Sequence, residues 1–118
     1  MSYRDLREFI AKVEQVNTLR HIRGAALNLE IGGITEVAAG TAECPALSFD
    51  DIPGYPKGFR IFTNPINTPQ RAALALGIDH TLRPLDALKA WMKKREGLKI
   101  QKPVFVKDAA CLENFAQD

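Results

Sequence analysis

The sequence predicts an α/β (α+β) domain in which a small mixed sheet of about four short strands packs with about four helices, and three observations lead to it. At 118 residues, with 46% hydrophobic and 25% charged residues, the chain fits one domain with a real core and leaves no room for a second. Residues 45–64 contain two runs of period two: Leu47 and Phe49 alternate with Ala46 and Ser48, then Phe59 and Ile61 with Arg60 and Phe62. Around them the apolar residues recur at helical spacing, with start and stop signals at both ends of each run. Between the two strand runs, Pro53, Gly54, Pro56 and Gly58 withhold backbone donors or admit positive φ, so the ladder cannot continue through them.

Taken in order, residues 3–16 predict an amphipathic helix, because Leu6, Phe9, Ile10, Val13 and Val16 share a face and Arg7, Glu8, Lys12 and Glu14 do not. Ser2 followed by Asp5 resembles a capping box, and Asn17 stops the helix. Residues 19–23 alternate like a brief strand, with Leu19 and His21 on one side and Arg20 and Ile22 on the other. Asn28 is a suitable N-cap for a second helix through about Ala39, with Glu30 in its first turn and Ile31, Ile34, Val37 and Ala38 facing the core. Gly32 and Gly33 sit in its first half and cost about 1 kcal/mol each relative to alanine. Such a pair implies close packing against a backbone, or a bend. A phosphate-cradling loop is excluded, since neither the remaining glycines and lysine of a P-loop nor a dinucleotide fingerprint is present.

Thr68 as N-cap with Pro69 at the first helical position starts a short alanine-rich helix that Gly77 caps. Its amino end, with Asn64, Thr68 and Arg71, is the best anion or pocket-mouth candidate in the chain. The plainer alternative is that Thr68 only caps and Arg71 pairs with a carboxylate. Pro84 opens a further helix to about Arg95, with Leu85, Leu88, Trp91 and Met92 as its buried stripe and Gly97 at its end. Residues 103–106 read as a last strand.

Several function classes are excluded or disfavoured. Apolar runs such as residues 72–78 are too short to cross a bilayer and the first four residues lack the apolar core of a secretory signal, so a soluble cytoplasmic protein with no membrane partner is expected. Cys44 and Cys111 are far apart with no second ligand at zinc spacing, and two free thiols in a reducing compartment are expected. His21 and His80 lie in separate segments without catalytic spacing, and Asp50-Asp51 is turn chemistry. The net charge of +2 conceals a basic stretch. Residues 89–102 hold Lys89, Lys93, Lys94, Arg95, Lys99 and Lys102 against Glu96 alone, a net +5 that leaves −3 for the rest. Such a stretch suits a helix C-terminus and a solvated face; binding of nucleic acid through it is the competing reading, disfavoured because no aromatic residues are interleaved for base stacking.

In order along the chain, Asp5-Leu6-Arg7-Glu8-Phe9-Ile10, Leu19-Arg20-His21-Ile22, Asn28-Leu29-Glu30-Ile31, Pro45-Ala46-Leu47-Ser48-Phe49 with Ile52-Pro53-Gly54-Tyr55-Pro56, Arg71-Ala72-Ala73-Leu74-Ala75-Leu76-Gly77 and Pro103-Val104 resemble the amino-terminal domain of UbiD-like decarboxylases. The resemblance covers nearly the whole chain. It departs at Asn17-Thr18-Leu19, Leu27-Asn28 and Cys44, which touch turns and leave the apolar positions intact.

The resemblance implies a carboxy-lyase that decarboxylates, or reversibly carboxylates, aromatic or α,β-unsaturated acids with prenylated FMN, manganese and potassium. In that family the catalytic and flavin residues belong to a following split-barrel domain, so this chain is expected to hold no catalytic, cofactor-binding or metal residues and to be inactive alone. Residues 1–107 would be the amino-terminal domain, residues 108–118 a connector, the partner the catalytic domain of the same polypeptide or complex, and the full enzyme a homo-oligomer. The domain's expected contribution is to close the active-site mouth, with the 50–58 loop and the amino end of the Thr68 helix as candidates.

Overall fold

A computed structural model describes residues 3–107 and 109. Four helices and three strands follow one another as α1 (Leu6–Gln15), β1 (Leu19–Arg23), α2 (Glu30–Ala39), β2 (Ala46–Asp50), β3 (Ile61–Thr63), α3 (Pro69–Ala75) and α4 (Pro84–Glu96). The sheet order is β1-β2-β3. β1 and β2 run parallel, from Leu19 opposite Ala46 to Arg23 opposite Asp50, with α2 as the crossover. β3 returns antiparallel to β2, Leu47 facing Thr63 and Phe49 facing Ile61.

Alternation along the strands divides the core between the two faces of the sheet. Leu47, Phe49 and Ile22 meet Ile31, Ile34 and Ala38 of α2 on one face. On the other, Leu19 and Ala46 meet Phe9 and Val13 of α1 and Leu74 and Ala75 of α3. The Phe9 and Phe62 rings pack edge-on, 6.3 Å between centroids.

The helix ends explain the boundaries. Asp5 adopts an extended backbone and its carboxylate accepts from the Glu8 amide at 2.9 Å, so Asp5 caps α1. Glu8 reaches back to the Arg4 amide at 2.7 Å, placing the box one turn after the expected start; Ser2 lies outside the described residues. α2 has no side-chain cap. Asn28 does not serve, because Leu29 takes the left-handed conformation (φ 67°) and Glu30 turns its carboxylate onto the Ala26 amide at 2.7 Å. α3 starts as expected, Thr68 accepting from the Arg71 amide. It ends in a Schellman turn: Gly77, at φ 64°, donates to Leu74 and Ile78 donates to Ala73.

Several expectations are corrected. Among the described residues three strands form, where about four were expected. β3 begins at Ile61, because Gly58 at φ 102° turns the chain and leaves Phe59 against Tyr55, with 6.5 Å between ring centroids. Residues 103–106 pair with no strand among the described residues; a β-prone run becomes a strand only where an edge receives it, and Val104 and Phe105 stand 85% and 94% exposed. Of the stripe expected inside α4, Leu85, Leu88 and Met92 face outward, each more than half exposed, and Trp91 alone is half-buried. Ala87, Ala90 and Trp91 are the half-buried residues of that helix. Val37 is also exposed rather than in the core. The connector expected over 108–118 lies outside the described residues, Ala109 apart.

Candidate functional site

The Asn64, Thr68 and Arg71 group forms where β3 hands over to α3. Asn64 follows the last ladder residue at φ 53°, a left-handed position that asparagine tolerates. Its side chain is buried, donates from Nδ2 to the Thr35 carbonyl at 3.2 Å and accepts from Asn67 at 3.1 Å, so it ties the β3–α3 turn to α2. Alongside, the Thr35 and Thr63 hydroxyls bond at 3.1 Å.

Arg71 is completely buried. Its Nη2 donates to the Cys44 carbonyl at 2.6 Å, across 27 residues of sequence, and holds the turn that leads into β2. Cys44 itself sits at φ 39° and donates its amide to Thr41, so the arginine fixes a strained corner. Nε and Nη1 of Arg71 are buried with no partner among the described residues, and burial lowers the guanidinium pKa while the neighbouring Cys44 opposes the shift. The carboxylate pairing envisaged for Arg71 does not form among the described residues. The structure thus brings all three sequence-predicted residues together, but with Asn64 and Arg71 facing inward. Their partners, the Cys44 and Thr35 carbonyls, had no sequence signal, because any residue can offer a carbonyl.

A second, exposed polar group lies at the carboxyl ends of the parallel strands, where ligands of open α/β sheets gather. Arg23 ends β1, Asp50 ends β2, and with Asp51, Lys57, Gly58 and Arg60 they line a cavity of about 360 Å³. Asp50 accepts from Arg60 at 2.7 Å, and Asp51 is held at φ 52°. Sequence reasoning placed the loop but not Arg23 and Arg60 beside it; only the parallel register brings the strand ends level. These groups can bind and orient a polar or anionic surface. They include no nucleophile with an adjacent base.

Elsewhere, His21 pairs with Glu14 at 3.0 Å on the α1 face of β1. Lys94 donates to the Leu76 and Gly77 carbonyls at 2.6 and 3.2 Å, which neutralises the exposed end of α3 and anchors α4. Among the described residues no three His, Cys, Asp or Glu gather as a metal site. No described helix is long and apolar enough to cross a membrane.

The fold has relatives among solved structures. It is similar to the vanillic acid decarboxylase of Sedimentibacter hydroxybenzoicus in its open form, with 28% identity, a TM-score of 0.74, and coverage of 81% of this chain and 21% of that one. The closed form of the same enzyme gives 28% identity and a TM-score of 0.70, covering 97% of this chain and 24% of that one. The chain therefore spans about a quarter or less of the length of these relatives. Residues 10–92, most of the chain, match the family model of the 3-octaprenyl-4-hydroxybenzoate carboxy-lyase N-terminal domain, and the protein belongs to that family of UbiD amino-terminal domains.

Proposed function

We propose that this chain is the non-catalytic amino-terminal module of a UbiD-like carboxy-lyase acting on aromatic or α,β-unsaturated carboxylic acids. The observation that carries the reading is the family match over residues 10–92, joined to structural likeness with a vanillic acid decarboxylase. Prenylated FMN, manganese and potassium belong in this reading to the split-barrel part of the enzyme. The donors described in this chain do not fit them: no trio of metal ligands assembles, and the buried Arg71 offers no open face to a phosphate. No chemical step is therefore assigned to residues of this chain. Residues 1–107 form the module, residues 108–118 lead towards the catalytic part, and the complete cytoplasmic enzyme is a homo-oligomer.

Within that enzyme the module helps to close the active-site mouth. Decarboxylation moves negative charge from a carboxylate onto carbon before a proton takes the place of the lost CO2, and excluding water from the closed site favours that move by removing the hydration of the carboxylate. The exposed 50–60 loop supplies the covering surface: the Tyr55 and Phe59 rings form an apolar lip beside Lys57 and Arg60. Asn64, Thr68 and Arg71 act behind it as positioning residues, holding the turns from which the loop's strands emerge.

The test is CO2 release from a panel of aromatic and α,β-unsaturated acids, using the polypeptide that joins this domain to its catalytic part, loaded with prenylated FMN, Mn2+ and K+. The complete enzyme is expected to turn over, and residues 1–118 alone are not; activity of the short chain, or an inert complete enzyme, removes the reading. Phe59→Ala in the active enzyme is expected to lower kcat several-fold with an unchanged melting temperature, because the ring is exposed in this domain. An unchanged kcat would remove the loop from the closure.

A further inference from the structure

Arg71 is wholly buried, yet two of its donors, Nε and Nη1, have no partner among the described residues. Its single bond, from Nη2 to the Cys44 carbonyl at 2.6 Å, does not offset the desolvation of a complete guanidinium. The unused donors are delivered to Cys44. A guanidinium is planar, so Nε and Nη1 lie in one plane with the nitrogen that is bonded to the cysteine's own carbonyl. The Cys44 side chain is also within reach: burial lowers the Arg71 pKa, and a hydrogen bond and charge attraction from that side chain oppose the shift. It does so without giving Nε or Nη1 a well-formed bond. Sulfur is a weak acceptor and oxygen a strong one.

The corner that carries the thiol is rigid. The Cys44 amide donates to the carbonyl and the hydroxyl of Thr41, both at 3.1 Å, while its carbonyl accepts from Arg71. At φ 39°, immediately before Pro45, the residue holds a conformation for which glycine is the unstrained choice, and a side chain stands there nonetheless. Cys44 is half-buried and free, which admits a small reagent from solvent.

We propose that Cys44 is a site of reversible oxidation by hydroperoxides, and that Arg71 binds the oxygen which the sulfur acquires. The sulfur gives an electron pair to the hydroxyl oxygen of the hydroperoxide, the O–O bond breaks, and the thiol proton leaves with the second oxygen as water or an alcohol. Sulfur is thereby oxidised to a sulfenic acid and the hydroperoxide is reduced. The new oxygen accepts from a buried donor that had no partner. The oxidised side chain is then held more tightly than the thiol, so oxidation stabilises the fold, whereas a polar atom added to a half-buried side chain without such a donor destabilises it. The inference stands apart from the function proposed above.

The test uses the 118-residue chain with Cys111→Ser, so that one thiol is read, and the same chain carrying Arg71→Met as well. Both are treated with hydrogen peroxide, and the sulfenic acid is trapped with dimedone and located by peptide mass spectrometry. Cys44 is expected to be labelled about tenfold faster with Arg71 present, the effect of one hydrogen bond from a charged donor. Before trapping, the oxidised parent is expected to melt several degrees above the reduced one, to return to its first value with dithiothreitol, and to show no such rise with Arg71→Met. Alkylation by iodoacetamide, which adds no oxygen to the sulfur, is expected to differ between the two chains by much less than oxidation does. No label at Cys44, equal labelling of both chains, or a lower melting temperature on oxidation would each overturn the proposal. So would an equal change in alkylation and oxidation, because Arg71 would then govern access to the thiol and not the fate of the oxygen. If Arg71→Met does not fold, the melting shift of the parent still decides.

Discussion

Arg71 shows how a residue chosen for one reason is used for another. Asn64, Thr68 and Arg71 stand out in the sequence because Thr-Pro announces a helix start, and the cap is where it was expected. The inward orientation was not legible, since it depends on Thr35 and Cys44, which are 29 and 27 residues away in sequence. A buried guanidinium with two unpartnered donors costs desolvation energy but also fills volume and satisfies a carbonyl, and these terms oppose each other. Arg71→Ala removes the filling and the bond together and is expected to cost about 1–3 kcal/mol. Arg71→Met keeps the volume and removes the charge, and should stay within about 1 kcal/mol of the parent. Urea unfolding of the two variants checks this; equal losses would show that charge, not filling, matters. Asp79 offers a separate titration. Its carboxylate accepts from the Thr81 hydroxyl and amide, which hold its pKa below the ordinary value. A depressed carboxyl stabilises above its unfolded pKa and loses that contribution as the pH falls through its folded pKa. The Thr81 amide resonance is therefore expected to titrate below the ordinary aspartate range, and the turn to loosen only there.

At the level of elements, period decides more than pairing does. α1, β1, β2 and α3 formed where the sequence signals placed them; α1 buries Phe9 and Val13 of its stripe but leaves Leu6 exposed, and β2 is buried on both faces. α4 has as clear a pattern but buries no residue. Its periodicity states that Leu85, Leu88 and Met92 share a face but not that anything covers them; Ala87, Ala90 and Trp91 are the half-buried residues, and Lys94 bonds the end of α3. The same holds for residues 103–106, whose β propensity needs an edge they do not meet. Leu88→Gln in this chain is accordingly expected to change stability by less than about 0.5 kcal/mol, as an exposed substitution does. A buried leucine would cost several times more, so a loss above about 2 kcal/mol in urea would refute the orientation of α4. Gly33→Ala on α2 should do the reverse and stabilise by about 1 kcal/mol, its Cβ being unobstructed and its backbone helical.

At the scale of the molecule, both apolar cores among the described residues draw their members from before Ile78: one from the sheet and α2, the other from the sheet with α1 and α3. α4 contributes no buried residue, and residues 98–107 are exposed throughout. The cooperative unit should therefore be the three-layer α2, sheet and α1/α3 assembly, with α4 appended through Trp91, two alanines and the Lys94 bonds. Deleting residues 81–118 removes those half-buried contacts and uncovers the end of α3, a loss of about 2 kcal/mol at most by area and hydrogen-bond bookkeeping. Because the denaturant slope follows the surface exposed on unfolding, and the described part of the deleted segment is exposed in large part already, that slope should fall only slightly. A single urea transition with a similar slope and a lower midpoint is the expected outcome for residues 1–80. A broad, non-cooperative melt would mean that α4 and the residues after it complete the core, and that the outward-facing leucines lie against the domain in solution.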